Sequence, residues 1–416
     1  MAQRNHVAVA KALSGGGSGT YVVSAPAGSD PQQVARALAA DAAVRTVETE
    51  KPVRLPGLAS GVNPNPAGNR YASTVLDGTP VFYYNSFAAA AYVNQQAGLI
   101  VELAKAHQLA DGSEARVAIV DTGIDRSQPV LLASVSVGYD FVNNVPGGQE
   151  VADINQETTP ILDQETTPIL DQETTPILDG GSAIILQQET TPILDQETTP
   201  ILDAAKYPAF GHGTMVAGLV HLVAPRARLM PVRVFGANGA ATISQIVAGL
   251  YWAVDHGADV INMSFSTTLN SPALAAAIDY ATAKGVILVA AAGNNGQATP
   301  VWPAAYSSVI GVGSTNNFLT RSLFSNYGTP PVSLAAPGEG DVTVYPGNHY
   351  AQVWGTSFSA PMVAGGAALL VDLSNRLNPA SAAAALANAR YIGQQMGAGE
   401  LDVYQACQAV KQEKGN

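Results

Sequence analysis

Val117-Ala118-Ile119-Val120-Asp121-Thr122-Gly123-Ile124-Asp125 is an apolar run that closes on a carboxylate and a glycine. It reads as a buried strand with a polar residue at its carboxyl end, where open α/β sheets place their sites. Two more Gly-bearing segments follow: Gly211-His212-Gly213-Thr214-Met215-Val216-Ala217-Gly218, and Gly355-Thr356-Ser357-Phe358-Ser359-Ala360-Pro361-Met362-Val363-Ala364-Gly365. In chain order they supply Asp121, His212 and Ser357. A hydroxyl is a poor nucleophile at neutral pH. It needs an imidazole to take its proton and a carboxylate to hold that imidazole in the right tautomer. Each residue alone also has a plain structural reading: a strand end, a helix cap, a helix N-terminal hydroxyl. The ordered set carries the weight.

With these three motifs, over about residues 86–405 and apart from one insertion, the chain resembles the subtilisin-like serine peptidases, the subtilases, whose triad runs Asp, His, Ser. The resemblance implies a peptidase in which Asp121 orients His212, His212 is general base and acid, and Ser357 is the nucleophile. A fourth element is Gly285-Val286-Ile287-Leu288-Val289-Ala290-Ala291-Ala292-Gly293-Asn294-Asn295-Gly296, a short apolar strand followed by two amides. By resemblance Asn294 is the side-chain donor to the oxyanion, with the Ser357 backbone N–H as the second. Its other reading is a turn residue ahead of Gly296.

The remaining pattern gives the fold class. β-rich runs at Leu229–Phe235, Val260–Met263 and Val309–Val312 alternate with helical stretches at 243–256, 272–284 and 357–374. Alternation of this kind predicts an α/β fold, a parallel central sheet with helices on both faces. A helix is expected across Tyr92–Leu109 and an Ala-rich final helix after the Asn378-Pro379 cap. Hydrophobic residues make up 47% of the 416 and charged residues 12%, enough for a large core and too apolar for a disordered chain. No apolar run reaches membrane-span length. One cysteine, Cys407, excludes an internal disulfide and reads as structural.

The net charge of −12 is local. Residues 156–203 form octads, five of them identical Gln-Glu-Thr-Thr-Pro-Ile-Leu-Asp copies holding ten carboxylates, so the rest of the chain carries about −2. The total therefore carries no argument about nucleic acid or basic partners; no nucleic-acid partner and no membrane span are expected. The octads read as a solvated surface loop or as a small stacked solenoid.

Residues 1–19 read as a flexible N-terminus. Residues 20–55 read as strand, helix and strand: Tyr21–Ser24, a helix opened by Asp30-Pro31, and Val44–Lys51. That layout resembles the family's inhibitory propeptide, and implies that the chain's own propeptide is a partner. It also suits a small accessory unit. Residues 56–85 have linker composition and are where processing is expected. The catalytic domain spans 86–416, interrupted by the octads. The start of the chain shows no apolar signal segment, so secretion is expected from the resemblance and a cytoplasmic location otherwise.

The resemblance places substrate along Ser264-Phe265-Ser266 and, on the other edge, near Gly239 and Ala240. It puts Val301 at the base of the P1 pocket, which favours small or medium apolar P1 residues. The calcium loop that many relatives carry after Gly218 is missing. His221 therefore reads as a surface helix residue, and no metal ligands are assigned. Catalysis needs no cofactor, and structural calcium is left without a site. Protein or peptide substrates and a monomer are expected. The missing second Gly after Ser357 and the Asp-first order argue against an α/β-hydrolase esterase. The other reading is an inactive core whose acidic repeat binds partners.

Overall fold

In a computed structural model, alternate residues of the strand Arg116–Asp121 belong to two different apolar cores. Val117 and Ile119 pack in one, Ala118 and Val120 in the other. A strand buried on both faces needs a helical layer on each side. The structure describes residues 2, 6–13, 19–55, 77–153, the backbone of 184–187, 209–374 and 377–415.

The elements are, in order, β1 (Ala8–Ala12), β2 (Tyr21–Ser24), α1 (Pro31–Ala39), β3 (Pro52–Arg54), β4 (Pro80–Tyr83), β5 (Ser86–Ala89), α2 (Ala90–Val93), α3 (Gln96–Ile100), α4 (Leu103–Ala106), β6 (Arg116–Asp121), β7 (Gly138–Asp140) and β8 (Val145–Gly147). Then come β9 (Ile184–Gln187), α5 (His212–Val223), β10 (Arg228–Arg233), β11 (Ala240–Thr242), α6 (Ile243–Asp255), β12 (Val260–Met263), α7 (Pro272–Ala283), β13 (Ile287–Ala291), β14 (Val309–Thr315) and β15 (Leu334–Pro337). The chain ends through β16 (Glu339–Tyr345), β17 (His349–Trp354), α8 (Thr356–Leu373), α9 (Pro379–Leu386) and α10 (Val403–Gly415).

The main sheet runs β15-β14-β13-β12-β6-β10-β7-β8. Its pairs are parallel except β7–β8. The chain leaves β6 for β10 on one side and returns past it to β12 on the other. This reversal of strand order opens a crevice at the carboxyl ends. Buried residues of α5 and α8 share the core of Val117 and Ile119. Those of α6 and α7 share the other core. By length and composition α8 could cross a membrane, although no apolar run had been expected to. It is 89% buried, which marks a core helix.

The first part of the chain departs from expectation. β1 forms an antiparallel pair with β2 where a flexible N-terminus was expected. Asp30 caps α1 as expected, accepting from the Gln32 N–H. Val44–Lys51 is not a strand. The next strand is β3, and it pairs antiparallel with β11, far downstream in the chain, rather than with β2. Tyr92–Leu109 is not one helix. It breaks into α2, α3 and α4, with Glu102 at a positive φ of 61° and Leu99 exposed. α10 follows the Asn378-capped helix, which is therefore not the last. The octads lie outside the described residues apart from β9, which pairs parallel with β17.

Two buried carboxyls lie near α8. Burial, then repulsion from Glu400, raises Asp341 to about 8, and burial raises Glu400 to about 7. Thr315 donates to Glu400 Oε1, while Glu400 Oε2 and Asp341 Oδ2 have no hydrogen-bond partner. Both groups hold their protons more tightly folded than unfolded. Their stabilising contribution is complete below the unfolded pKa, about 4, and is lost as pH rises through about 7–8. Unfolding by denaturant should therefore show stability falling between about pH 4 and about pH 8, by a few kcal/mol. Asp341→Asn with Glu400→Gln should flatten that decline.

Candidate active site

Asp121 is the last residue of β6 and His212 the first of α5. The His212 Nδ1–H donates to Asp121 Oδ1 at 2.8 Å, and the Thr122 N–H donates to the same oxygen at 2.7 Å. That bond puts the imidazole proton on Nδ1 and leaves Nε2 as the basic nitrogen. The two segments can come this close only because glycines stand where they touch. A Cβ on Gly213 would strike the Gly123 carbonyl oxygen, and one on Gly123 (φ 109°) would lie 2.9 Å from the Glu150 nitrogen.

Ser357 is the second residue of α8 and fully buried. Its carbonyl accepts from Ser264 Oγ at 2.7 Å, and the Phe358 ring centroid lies 5.4 Å from that of His212. Asn294 follows β13. Its Oδ1 accepts from the Thr356 N–H at 2.9 Å and from the Thr356 hydroxyl at 2.8 Å. The oxygen end of this amide is thus committed to the residue before Ser357, which leaves the NH2 as the end with donor chemistry. The N-terminus of α8 adds a positive dipole end at the same place. The structure thus joins Asp121 to His212, Asn294 to the residue before Ser357, and the ring of the residue after Ser357 to that of His212.

The expected substrate edges lie beside them. Ser264-Phe265-Ser266 continues β12, with Phe265 buried 5.3 Å from the Phe235 ring. Gly293 has Ser266 and Val301 as neighbours, with Val301 Cγ2 3.5 Å from where a Cβ would stand. The other edge is occupied. Arg54 pairs with Ala240 and Val53 with Ala241, and the Leu55 N–H donates to the Gly239 carbonyl at 2.9 Å. Val53 and Leu55 are buried in one apolar cluster with Phe235, Ala241, Ile246 and Phe265. Just upstream, Glu48 accepts from Ser271 Oγ at 2.6 Å, and Ser271 caps α7. Glu50 accepts from the Ser244 N–H in the first turn of α6 at 3.0 Å.

Sequence reasoning missed Glu150. It is buried behind Asp121 and His212, where it accepts from the Thr122 and Thr214 hydroxyls and from the N–H groups of Gly211 (2.8 Å) and Thr214 (2.9 Å). It also missed the buried Arg233, whose Nε donates to the Thr122 carbonyl at 3.0 Å and whose guanidinium meets Asp140 at 2.6 Å. His221 is not a surface residue. Its ring is buried, Nδ1 lies 3.2 Å from the Tyr92 hydroxyl, and burial lowers its pKa to about 4. α5 is covered on every side, so its C-terminal half offers no outward face. Cys407 is buried and free. Among the described residues no three His, Cys, Asp or Glu side chains converge as metal ligands do.

A profile of the subtilase family matches residues 112–407. A thermophilic serine proteinase of Bacillus sp. (strain AK1) is 35% identical over 256 residues, covering 62% of this chain and 52% of that protein. This chain thus spans about half the length of that relative. Thermitase of Thermoactinomyces vulgaris is 33% identical over 282 residues, covering 65% of this chain and 80% of thermitase. Among solved structures, a cold-adapted subtilisin-like serine proteinase aligns with a TM-score of 0.52 at 25% identity, covering 70% of this chain and 88% of that one. A lanthipeptide protease aligns with a TM-score of 0.57 at 23% identity, over 76% and 94% of the two chains.

Arg233 and Asp140 make the next expectation. Removing one member of a buried pair strands the other charge in a low-dielectric site, at a cost of about 3–5 kcal/mol. Asp140→Ala should destabilise by that order in chemical denaturation. The double variant Asp140→Leu, Arg233→Met should lose much less.

Proposed function

Because this chain belongs to the subtilase family, we propose that it is a serine endopeptidase acting through Asp121, His212 and Ser357, with Asn294 as an oxyanion donor. The 2.8 Å bond from His212 to Asp121 carries the reading, since it leaves Nε2 as the base, and the ring of Phe358, next to Ser357 in sequence, lies 5.4 Å from the imidazole centroid. Ser357 Oγ attacks the peptide carbonyl carbon as His212 Nε2 takes its proton. The negative charge that develops on the carbonyl oxygen meets the Asn294 NH2 and the Ser357 backbone N–H. His212 then gives its proton to the departing amine, and water releases the acyl group by the same steps. No cofactor takes part in these steps.

The segment 48–55 supports a propeptide role for the N-terminal unit. Its residues Pro52–Arg54 lie as a strand on the edge expected to pair with substrate, so they exclude substrate while bound. We propose self-processing beyond it in the linker, of which 56–76 lies outside the described residues. Protein or peptide substrates and secretion follow the same family reading.

Ser357→Ala should abolish fluorophosphonate labelling and peptide hydrolysis and leave the precursor uncut. Normal self-processing by that variant would refute the triad. Asn294→Ala should lower kcat about 10²–10³-fold, a magnitude that comes from subtilisin itself rather than from this geometry, with little change in KM. A pure KM effect would contradict the oxyanion role.

Specificity rests on Val301 and Ser266 beside Gly293, with no carboxylate among them to pair with a basic residue. A peptide library should show small or medium apolar residues preferred at P1. A strong preference for Lys or Arg there would overturn this assignment.

A further inference from the structure

We propose that Glu150 is a positioning residue of the active site: its carboxylate fixes the Thr122 turn against the first turn of α5, and its charge supports the imidazolium of His212 during turnover. This rests on the triad reading above.

The donors define the state of the group. The Gly213 N–H donates to Thr122 Oγ1 at 2.8 Å, so the hydroxyl hydrogen is directed onward, to Glu150 Oε1. In the same way the Asp125 N–H donates to Thr214 Oγ1 at 2.8 Å, and that hydroxyl donates to Glu150 Oε2. The Gly211 and Thr214 N–H groups supply the other two donors, one to each oxygen. Four donors on two oxygens fill the acceptor capacity of a carboxylate and favour the charged form against the desolvation that burial imposes. The site is also the N-terminus of α5, where an anion is favoured.

These four donors belong to the two segments that meet in the Asp121–His212 bond. Thr122 follows Asp121 directly, and its hydroxyl lies 3.3 Å from Asp121 Oδ1. Gly211 and Thr214 flank His212 in sequence. Glu150 therefore clamps both sides of that bond without touching substrate.

The charged and titratable groups around it are few. Asp121 and His212 lie in front and Asp125 to one side. Arg233 reaches Thr122 from β10 but is neutralised by Asp140 on β7. Tyr345 on β16 covers Gly211, and its pKa is raised by burial and then by Glu150. Burial raises Glu150 to about 7, the hydroxyl donors pull it down, and Asp121 adds to the rise. A second anion here favours the protonated imidazole. Losing it disfavours that form.

The test compares wild type, Glu150→Gln, Glu150→Asp and Thr122→Val. It uses kcat and KM across pH on a chromogenic peptide amide, with active sites counted by fluorophosphonate. Glu150→Gln should lower kcat per labelled site roughly tenfold to a hundredfold, because its NH2 faces donors and shifts the turn. KM should stay within about twofold, and the acid limb of kcat/KM should move to lower pH, by roughly half a unit to one unit. Glu150→Asp keeps the charge and should keep the wild-type acid limb. Thr122→Val cuts the hydroxyl link but keeps the charge. It should lower kcat with the acid limb unmoved. A Glu150→Gln enzyme with the wild-type acid limb overturns the proposal. Unchanged kcat in Thr122→Val does so too, even if the Gln variant fails to fold. A wild-type chain that neither labels nor hydrolyses sinks the triad reading instead.

Discussion

The carbonyl of Gly123 and the backbone of Gly213 are in contact, and the rest of the molecule is arranged so that they can be. Only at that separation can an imidazole at the first position of a helix hydrogen-bond a carboxylate at the last position of a strand. The contact sets where α5 starts. Starting there, α5 runs through the core with every residue buried and packs on α8, where Gly365 lets it approach Val220 and Val223. The start of α8 carries Ser357. A hydrogen bond at one end of the crevice and a helix–helix contact in the core thus serve the same placement. Neither tolerates a side chain where the backbones meet.

Charge follows from that placement. Asp121, Asp125, Asp140 and Glu150 are all buried within one neighbourhood. Burying carboxylates without partners would cost several kcal/mol each. Asp125 accepts from Ser127 and from the Gly347 N–H, Asp140 from Asn143 and Arg233, and Glu150 from two N–H groups and two hydroxyls. Backbone N–H groups at turns and at a helix start do most of this. Such donors are fixed by the fold and need no reorganisation during reaction. The cost is intolerance: each carboxylate holds two or more segments, so its removal is felt along several strands.

Much of this was legible in the chain. β6, β12, β13 and β14 are short apolar runs ended by Gly or a polar residue, and β12 falls on its expected residues, Val260–Met263. The triad motifs were readable because each needs glycines next to its polar residue. What the sequence hid is non-local. Glu150 works through residues about 61 and 64 positions away, across the octads, and no spacing encodes that. Val44–Lys51 has β-rich composition but no strand beside it to pair with. The edge at β11 is reached only by the next residues, Pro52–Arg54. The periodicity of Tyr92–Leu109 was real, but a left-handed residue at Glu102 lets three short helices wrap the core instead of one straight one crossing it.

On the proposed propeptide reading, one edge serves two occupants, the N-terminal unit and substrate. β3 fills the edge at β11 by adding an antiparallel strand. Its hold has three parts: the backbone bonds, the burial of Val53 and Leu55, and the carboxylates of Glu48 and Glu50 at the starts of α7 and α6. A substrate can reproduce the backbone bonds and the apolar side chains. It has no reason to reproduce the two carboxylates, which lie beyond the groove on the helix ends. On the proposed propeptide reading, the segment while joined to the rest of the chain has an effective concentration of about millimolar order and outcompetes free peptides. On the same reading, cutting the linker would remove that advantage and dilution would favour release. The helix-end contacts would then decide how long the severed segment remains, so a substitution at Glu48 or Glu50 should act on release and leave the proposed chemistry at Ser357 alone.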